Sequence, residues 1–146
     1  MFVVDTNVLL HAVNRDAPEH RESLELLTTW RGQHGAWYLT WGIAYEFLRV
    51  VTHTRVLPRP LTGAQASAWL ATLLESPGLA MLVPGDRHAV VLQEVLGDAK
   101  HITGNLWHDA HTVTLMREHG VRRVVSYDQD FRRFPGVELL APADLL

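Results

Sequence analysis

The chain has no cysteine. Disulfides and thiolate metal sites are therefore excluded, and cysteine usage says nothing about redox compartment. Lysine is nearly missing too, with twelve arginines and a single lysine, Lys100, among the thirteen basic residues. The formal net charge of −3 excludes a broadly basic nucleic-acid binder but leaves room for a local basic patch. No apolar run approaches the roughly 20 residues that a membrane span needs. Met1-Phe2-Val3-Val4-Asp5 lacks the basic start and long apolar segment of a secretory signal and leads straight into a core-like strand, so a cytoplasmic protein without membrane contact is expected. No repeat, low-complexity run or dividing linker is present, and 146 residues at 47% hydrophobic content suit one domain spanning residues 1–146.

One absence is local. From Phe47 to Leu74 there is no acid, while Arg49, His53, Arg55 and Arg59 fall close together. Pro58 and Pro60 imply an exposed loop, where the guanidinium groups of Arg49, Arg55 and Arg59 could hold RNA phosphates. An ordinary solvated loop explains them equally well, and the excess of arginine over lysine is open to a coding-bias explanation.

What is present is an alternation of short apolar runs and amphipathic stretches. Phe2-Val3-Val4, Ala36-Trp37-Tyr38-Leu39, Ala80-Met81-Leu82-Val83 and Val121-Arg122-Arg123-Val124-Val125 read as strands, with Val137-Glu138-Leu139-Leu140 as a last edge. Helices are expected from about Glu19 to Arg31, after Thr40, after Thr62, after Asp86 and after Thr103, each of these four polar residues being placed as a cap. Glu19, Glu22 and Glu25 suit a solvated helix face. The alternation predicts an α/β fold, a sandwich with a mostly parallel sheet.

Four acids stand out against this pattern. Leu106, Ala110, Val113 and Met116 mark the buried stripe of a late helix, and Asp109 lies on it. Glu46 lies three residues after Ile43 and four before Val50, on the apolar stripe of its own helix, although its long stem would allow it to reach solvent. Asp5 and Asp128 follow strands, at the edge where a parallel sheet binds ligands; helix capping is the alternative for Asp5. Carboxylates gathered together would repel one another severely without a cation. Hard oxygens without thiolates point to Mg²⁺ or Mn²⁺ with waters completing the shell. His108 and His111 flank Asp109, but they lack a third soft ligand, and surface or hydrogen-bonding roles are preferred to zinc. Asp130 is either a fifth ligand or a capping or solvated residue.

Taken in order, Asp5-Thr6-Asn7-Val8-Leu9-Leu10, Glu46-Phe47-Leu48-Arg49-Val50-Val51-Thr52, His108-Asp109-Ala110 and Ser126-Tyr127-Asp128-Gln129-Asp130-Phe131 resemble the PIN-domain ribonucleases, with the VapC-type toxins of bacterial toxin–antitoxin modules as the best match. The resemblance covers essentially the whole chain. It implies a three-layer α/β/α sandwich and a Mg²⁺- or Mn²⁺-dependent endoribonuclease, with Asp5, Glu46, Asp109 and Asp128 as the acidic quartet. It further implies Thr6 or Asn7 and Ser126 as polar supports, Asp130 as a frequent extra acid, a homodimer, and a small antitoxin whose tail blocks the site. The competing expectation is a non-catalytic RNA- or protein-binding module on the same fold. Phosphotransfer through Asp5 is disfavoured, because no second aspartate stands two residues on and Lys100 is the only lysine.

Overall fold

The computed structural model describes all residues, Met1–Leu146. Five strands, β1 (Val3–Val4), β2 (Trp37–Thr40), β3 (Leu79–Leu82), β4 (Arg123–Val125) and β5 (Glu138–Leu140), form one sheet in the order β3-β2-β1-β4-β5. All four ladders are parallel, so the expectation of a mostly parallel sheet is met in full. Six helices surround it: α1 (Thr6–Val13), α2 (His20–Arg31), α3 (Trp41–Val51), α4 (Gly63–Leu74), α5 (His88–Asp98) and α6 (Leu106–Glu118). Right-handed crossovers require the steps β1→β2→β3 and the long return β3→β4 to use opposite faces. The helices group accordingly, α1 with α2 and α3, α3 with α4, and α5 with α6, and the groups meet where α3 touches α6. No helix is long and apolar enough to cross a membrane.

The strand order fixes where a ligand can bind. The chain builds outward from β1 to β3, then returns to place β4 on the other side of β1. The reversal leaves a crevice between β1 and β4 at their carboxyl ends, the usual ligand position in an open parallel sheet. Val3 pairs with Val124 and Val4 with Val125, so the residues just beyond, Asp5 and Ser126, emerge side by side.

Helix starts follow local chemistry where a cap is engaged. The Thr40 hydroxyl accepts from Ile43 N at 3.1 Å, opening α3. Thr62 and Gln65 form a reciprocal capping box at the start of α4, which satisfies two amide donors that a helix end leaves free. The other two expected caps are corrected. Arg87, not Asp86, holds the cap position of α5, and Asn105, not Thr103, that of α6, neither with a side-chain cap bond. Both helices are entered through turns, such as Leu106 N to Thr103 O at 3.2 Å, so the first amides are met by backbone rather than by the nearest polar side chain.

The core is continuous through both faces of the sheet. Phe47, Trp37, Phe131 and Phe134 are its largest fully enclosed side chains, and Phe47 stacks on Trp69 with ring centroids 4.7 Å apart. Helix α6 is more enclosed than a one-faced stripe predicts. Ala110, Val113 and Met116 are buried as expected, but so are Thr112, Thr114 and Leu115, while Leu106 is only half-buried. The cause is its position between α5 and α3. The α3–α6 approach depends on Gly42, where a Cβ would meet His111 Nδ1 at 2.9 Å.

Candidate functional site

Asp5 follows β1 directly and caps α1, so capping and a place at the sheet edge are not alternatives for this residue. Its Oδ1 accepts from Thr6 N at 2.7 Å and its Oδ2 from the Ser126 hydroxyl at 2.6 Å. The Ser126 oxygen accepts from Asn7 Nδ2 and from Asp128 N, both at 2.9 Å. With both acceptor positions filled, its single proton must go to Asp5. Asn7 Oδ1 in turn accepts from Tyr127 N at 3.3 Å. Thr6, Asn7 and Ser126 thus tie the end of β1 to the end of β4 in one network.

The other acids reach this point from different elements. Glu46, projecting from α3 and partly exposed, accepts from the Thr6 hydroxyl at 3.4 Å. Asp109 sits in the first turn of α6, half-buried. Asp128 is exposed and caps the 3-10 turn Gln129–Arg133, its Oδ1 accepting from Asp130 N at 2.8 Å. Asp130 is paired with Arg133 at 3.0 Å.

The electrostatics show how closely the acids are associated. Burial raises the Asp5 carboxyl from 3.8 to about 6, helped by the charges of Glu46 and Asp128 and opposed by the Ser126 hydroxyl and Thr6 N–H. Burial raises Asp109 from 3.8 to about 7, reinforced by Asp5, Asp128, Asp130 and Glu46. Five carboxylates therefore share one field, and nothing donates a hydrogen bond to Asp109 to relieve it. No three acidic or histidine side chains stand in ligating position around a common point. The donor set nonetheless suits a hard divalent cation, since Mg²⁺ retains several waters and takes only one or two carboxylates directly. Asp5, Asp109, Asp128 and Glu46 are the side chains that could hold it, with Asp130 as a fifth.

The arginines divide. Arg49 lies 3.7 Å from Glu46, beside the crevice. Arg59 is 2.9 Å from Asp16, so the acid-free stretch of sequence is not acid-free in space. Arg55 is exposed. Arg59 and Asp16 line a cavity of about 530 Å³ with Arg15, Leu57 and Trp69, separate from the open crevice that holds the carboxylates. His111 packs against Gly42 and, edge-on, against His88 at 5.9 Å, while His108 is exposed. Burial, with His88 and His108 nearby, lowers the His111 pKa.

One set of contacts has no counterpart among the sequence expectations. The Tyr127 hydroxyl lies 2.7 Å from Glu22 Oε1 and 2.8 Å from Ser23 Oγ. Glu22 is therefore not simply part of a solvated face. Nothing in the local sequence signals the contact, because the partners are more than a hundred residues apart.

Residues 2–137 match the PIN domain family. Two Mycobacterium tuberculosis proteins are similar over nearly their full length. One, called Ribonuclease VapC48, is 35% identical over 138 residues, 94% of each chain; the other, Ribonuclease VapC37, is 37% identical over 147 residues, all of both chains. Among solved structures the fold is shared with Mycobacterium tuberculosis VapC20 at a TM-score of 0.64 and 16% identity, covering 90% of this chain and 93% of the other. It is shared also with FitAcB from Neisseria gonorrhoeae at 0.65 and 17%, covering 98% and 99%. With a family match over most of its length and relatives of this similarity, the chain belongs to the PIN-domain family, among the VapC ribonucleases.

Proposed function

We propose that this protein is a Mg²⁺- or Mn²⁺-dependent endoribonuclease, the toxin of a bacterial toxin–antitoxin pair. The observation that carries the reading is the convergence of Asp5, Glu46, Asp109, Asp128 and Asp130 at the β1–β4 crevice, with Asp5 and Asp109 held above the ordinary carboxylate range and no cationic partner at Asp109. Such repulsion is costly unless a cation offsets it. A divalent ion bound there would lower the pKa of a coordinated water and neutralise charge developing on a phosphodiester.

The protein's own contribution is placement. Thr6 N and the Ser126 hydroxyl fix both oxygens of Asp5, leaving its remaining lone pairs for the crevice. Asn7 and Asp128 N hold Ser126 in the rotamer that does this. Glu46 and Asp109 approach from α3 and α6, closing the site from the helical layers. Arg49 stands beside Glu46, where it would meet a phosphate of an RNA strand crossing the acids; the exposed Arg55, and Arg59 once released from Asp16, would be available to phosphates farther from the crevice.

The names of the relatives, ribonucleases both, support RNA as substrate. A fold neighbour from Rickettsia felis was solved as VapBC2 on a DNA fragment of its promoter, which supports a small antitoxin as partner. Homodimerisation and a cytoplasmic location belong to the same reading. The test is incubation of total RNA and purified tRNA with the protein in Mg²⁺ or Mn²⁺ and in EDTA, beside Asp109→Asn. Discrete fragments that need metal and disappear in the variant are expected. RNA binding of equal strength in EDTA and Mg²⁺, with no cleavage and no Mn²⁺ binding, would instead establish a non-catalytic module.

A further inference from the structure

We infer that Tyr127 is a positioning residue, whose hydroxyl locks the loop carrying Ser126 and Asp128 onto helix α2. The inference rests on the proposed metal site for its functional consequence, but not for its geometry.

A phenol has one proton. Glu22 Oε1, at 2.7 Å, has no proton to give in its ionised form, so the Tyr127 hydroxyl donates to it. Ser23 Oγ, at 2.8 Å, must then donate to the phenolic oxygen. Ser23 is fully buried, so this is an interior contact rather than a passing surface one. Burial, together with the glutamates at 22 and 19, raises the phenol well above its ordinary pKa, which keeps that proton in place at any physiological pH. The ring is further fixed edge-on against His11 of α1, with centroids 5.0 Å apart.

The hydroxyl end is thus held by α2 and the ring by α1. The main chain of the same residue is held by the site, since Tyr127 N donates to Asn7 Oδ1. On either side stand Ser126, which bonds Asp5, and Asp128, whose own N bonds Ser126. No regular element other than the end of β4 constrains this loop before Gln129. Without the hydroxyl, the link from this loop to α2 is lost, and Tyr127 keeps only its ring contact with His11 and the weak 3.3 Å bond from its N to Asn7. The bonds of Asp128 to Ser126 and Asp130 then rest on a looser segment. Tyr127 therefore acts on the reaction through Ser126 and Asp128, not by touching substrate.

The test compares Tyr127→Phe, Glu22→Ala and Glu22→Gln with the unaltered chain. Glu22→Gln removes the charge but keeps an oxygen that accepts the phenolic proton. Amide hydrogen exchange at Tyr127 and Asp128 is read in EDTA, so that it is independent of any metal, and Mn²⁺ affinity is read from the spin-resonance signal of the free ion. In Tyr127→Phe and Glu22→Ala, exchange at the two amides should quicken by about tenfold, the scale of one lost hydrogen bond. Mn²⁺ binding should weaken by a similar factor of about ten, and Glu22→Gln should restore both. Unchanged exchange in Tyr127→Phe, or a Glu22→Gln variant as impaired as Glu22→Ala, would overturn the inference. Failure of the unaltered protein to bind Mn²⁺ would refute the metal reading alone, and the exchange data would still decide the lock.

Discussion

Asp109→Asn should make the metal-free protein more stable, and by an amount that depends on pH. The folded carboxyl lies at about 7 against 3.8 for the free group. At ~1.4 kcal/mol per pH unit, a dry site would place ~4 kcal/mol against folding at pH 8. Asp109 is only half-buried, so solvent screening reduces this to ~1–2 kcal/mol. Because the folded pKa is raised, the folded state binds more protons than the unfolded one between about 7 and 3.8. Stability of the unaltered protein therefore climbs as pH falls through that window, and the penalty is fully present only above it. Asparagine has the same shape and nothing to titrate, so its advantage is greatest at pH 8 and shrinks towards pH 4. Urea unfolding in EDTA at pH 8 and pH 5 measures both values. A variant less stable than its parent at pH 8, or an advantage that does not change with pH, would refute the reasoning. Saturating Mg²⁺ should reverse the order, since an ion at 100 times its Kd adds ~2.7 kcal/mol to the chain that binds it.

Single contacts set three further expectations. Ser126→Ala removes the hydroxyl that holds Asp5 down and leaves Asn7 and Asp128 N without their acceptor; it should cost ~1–3 kcal/mol and raise Asp5 above about 6, seen by carbon-detected NMR titration of the carboxyl. Gly42→Val places side-chain atoms against His111 and should destabilise by ~1–3 kcal/mol while parting α3 from α6, so RNA cleavage should fall more than stability alone explains. Glu118 accepts from His88 Nδ1 at 2.6 Å and from Gly85 N at 3.1 Å, and it is not among the charges that raise Asp5 or Asp109. Glu118→Ala should lower the urea midpoint, a loss of ~1–3 kcal/mol, with cleavage per folded molecule preserved.

Some of this architecture is legible in the sequence because its causes are local. Thr40 and Thr62 are readable as caps because each reaches an amide three residues on. The strands are readable because short β-branched and aromatic runs end at polar residues, and their observed bounds differ from the expected ones by at most two residues. Local reading fails where backbone turns displace a cap, as at Asp86 and Thr103, and where neighbouring helices enclose a helix, as α5 and α3 do at Thr112 and Thr114 of α6. It fails altogether for contacts across the chain. Arg59 looks free within an acid-free stretch, yet it pairs with Asp16, 43 residues away. Glu22 looks solvated, yet it anchors Tyr127.

What the sequence determined by itself was the set of pieces: parallel-sheet strands, helices with their caps, and acids on strand ends and apolar stripes, where isolated carboxylates are costly and so conspicuous. What only the tertiary structure decided was their meeting. Asp5 and Ser126 are neighbours because β4 returned to pair with β1, a choice made by the packing of the whole sheet and not by either segment. The same convergence raises Asp5 and Asp109, since a pKa shift depends on burial and on charges from other elements, quantities that a linear chain does not yet possess.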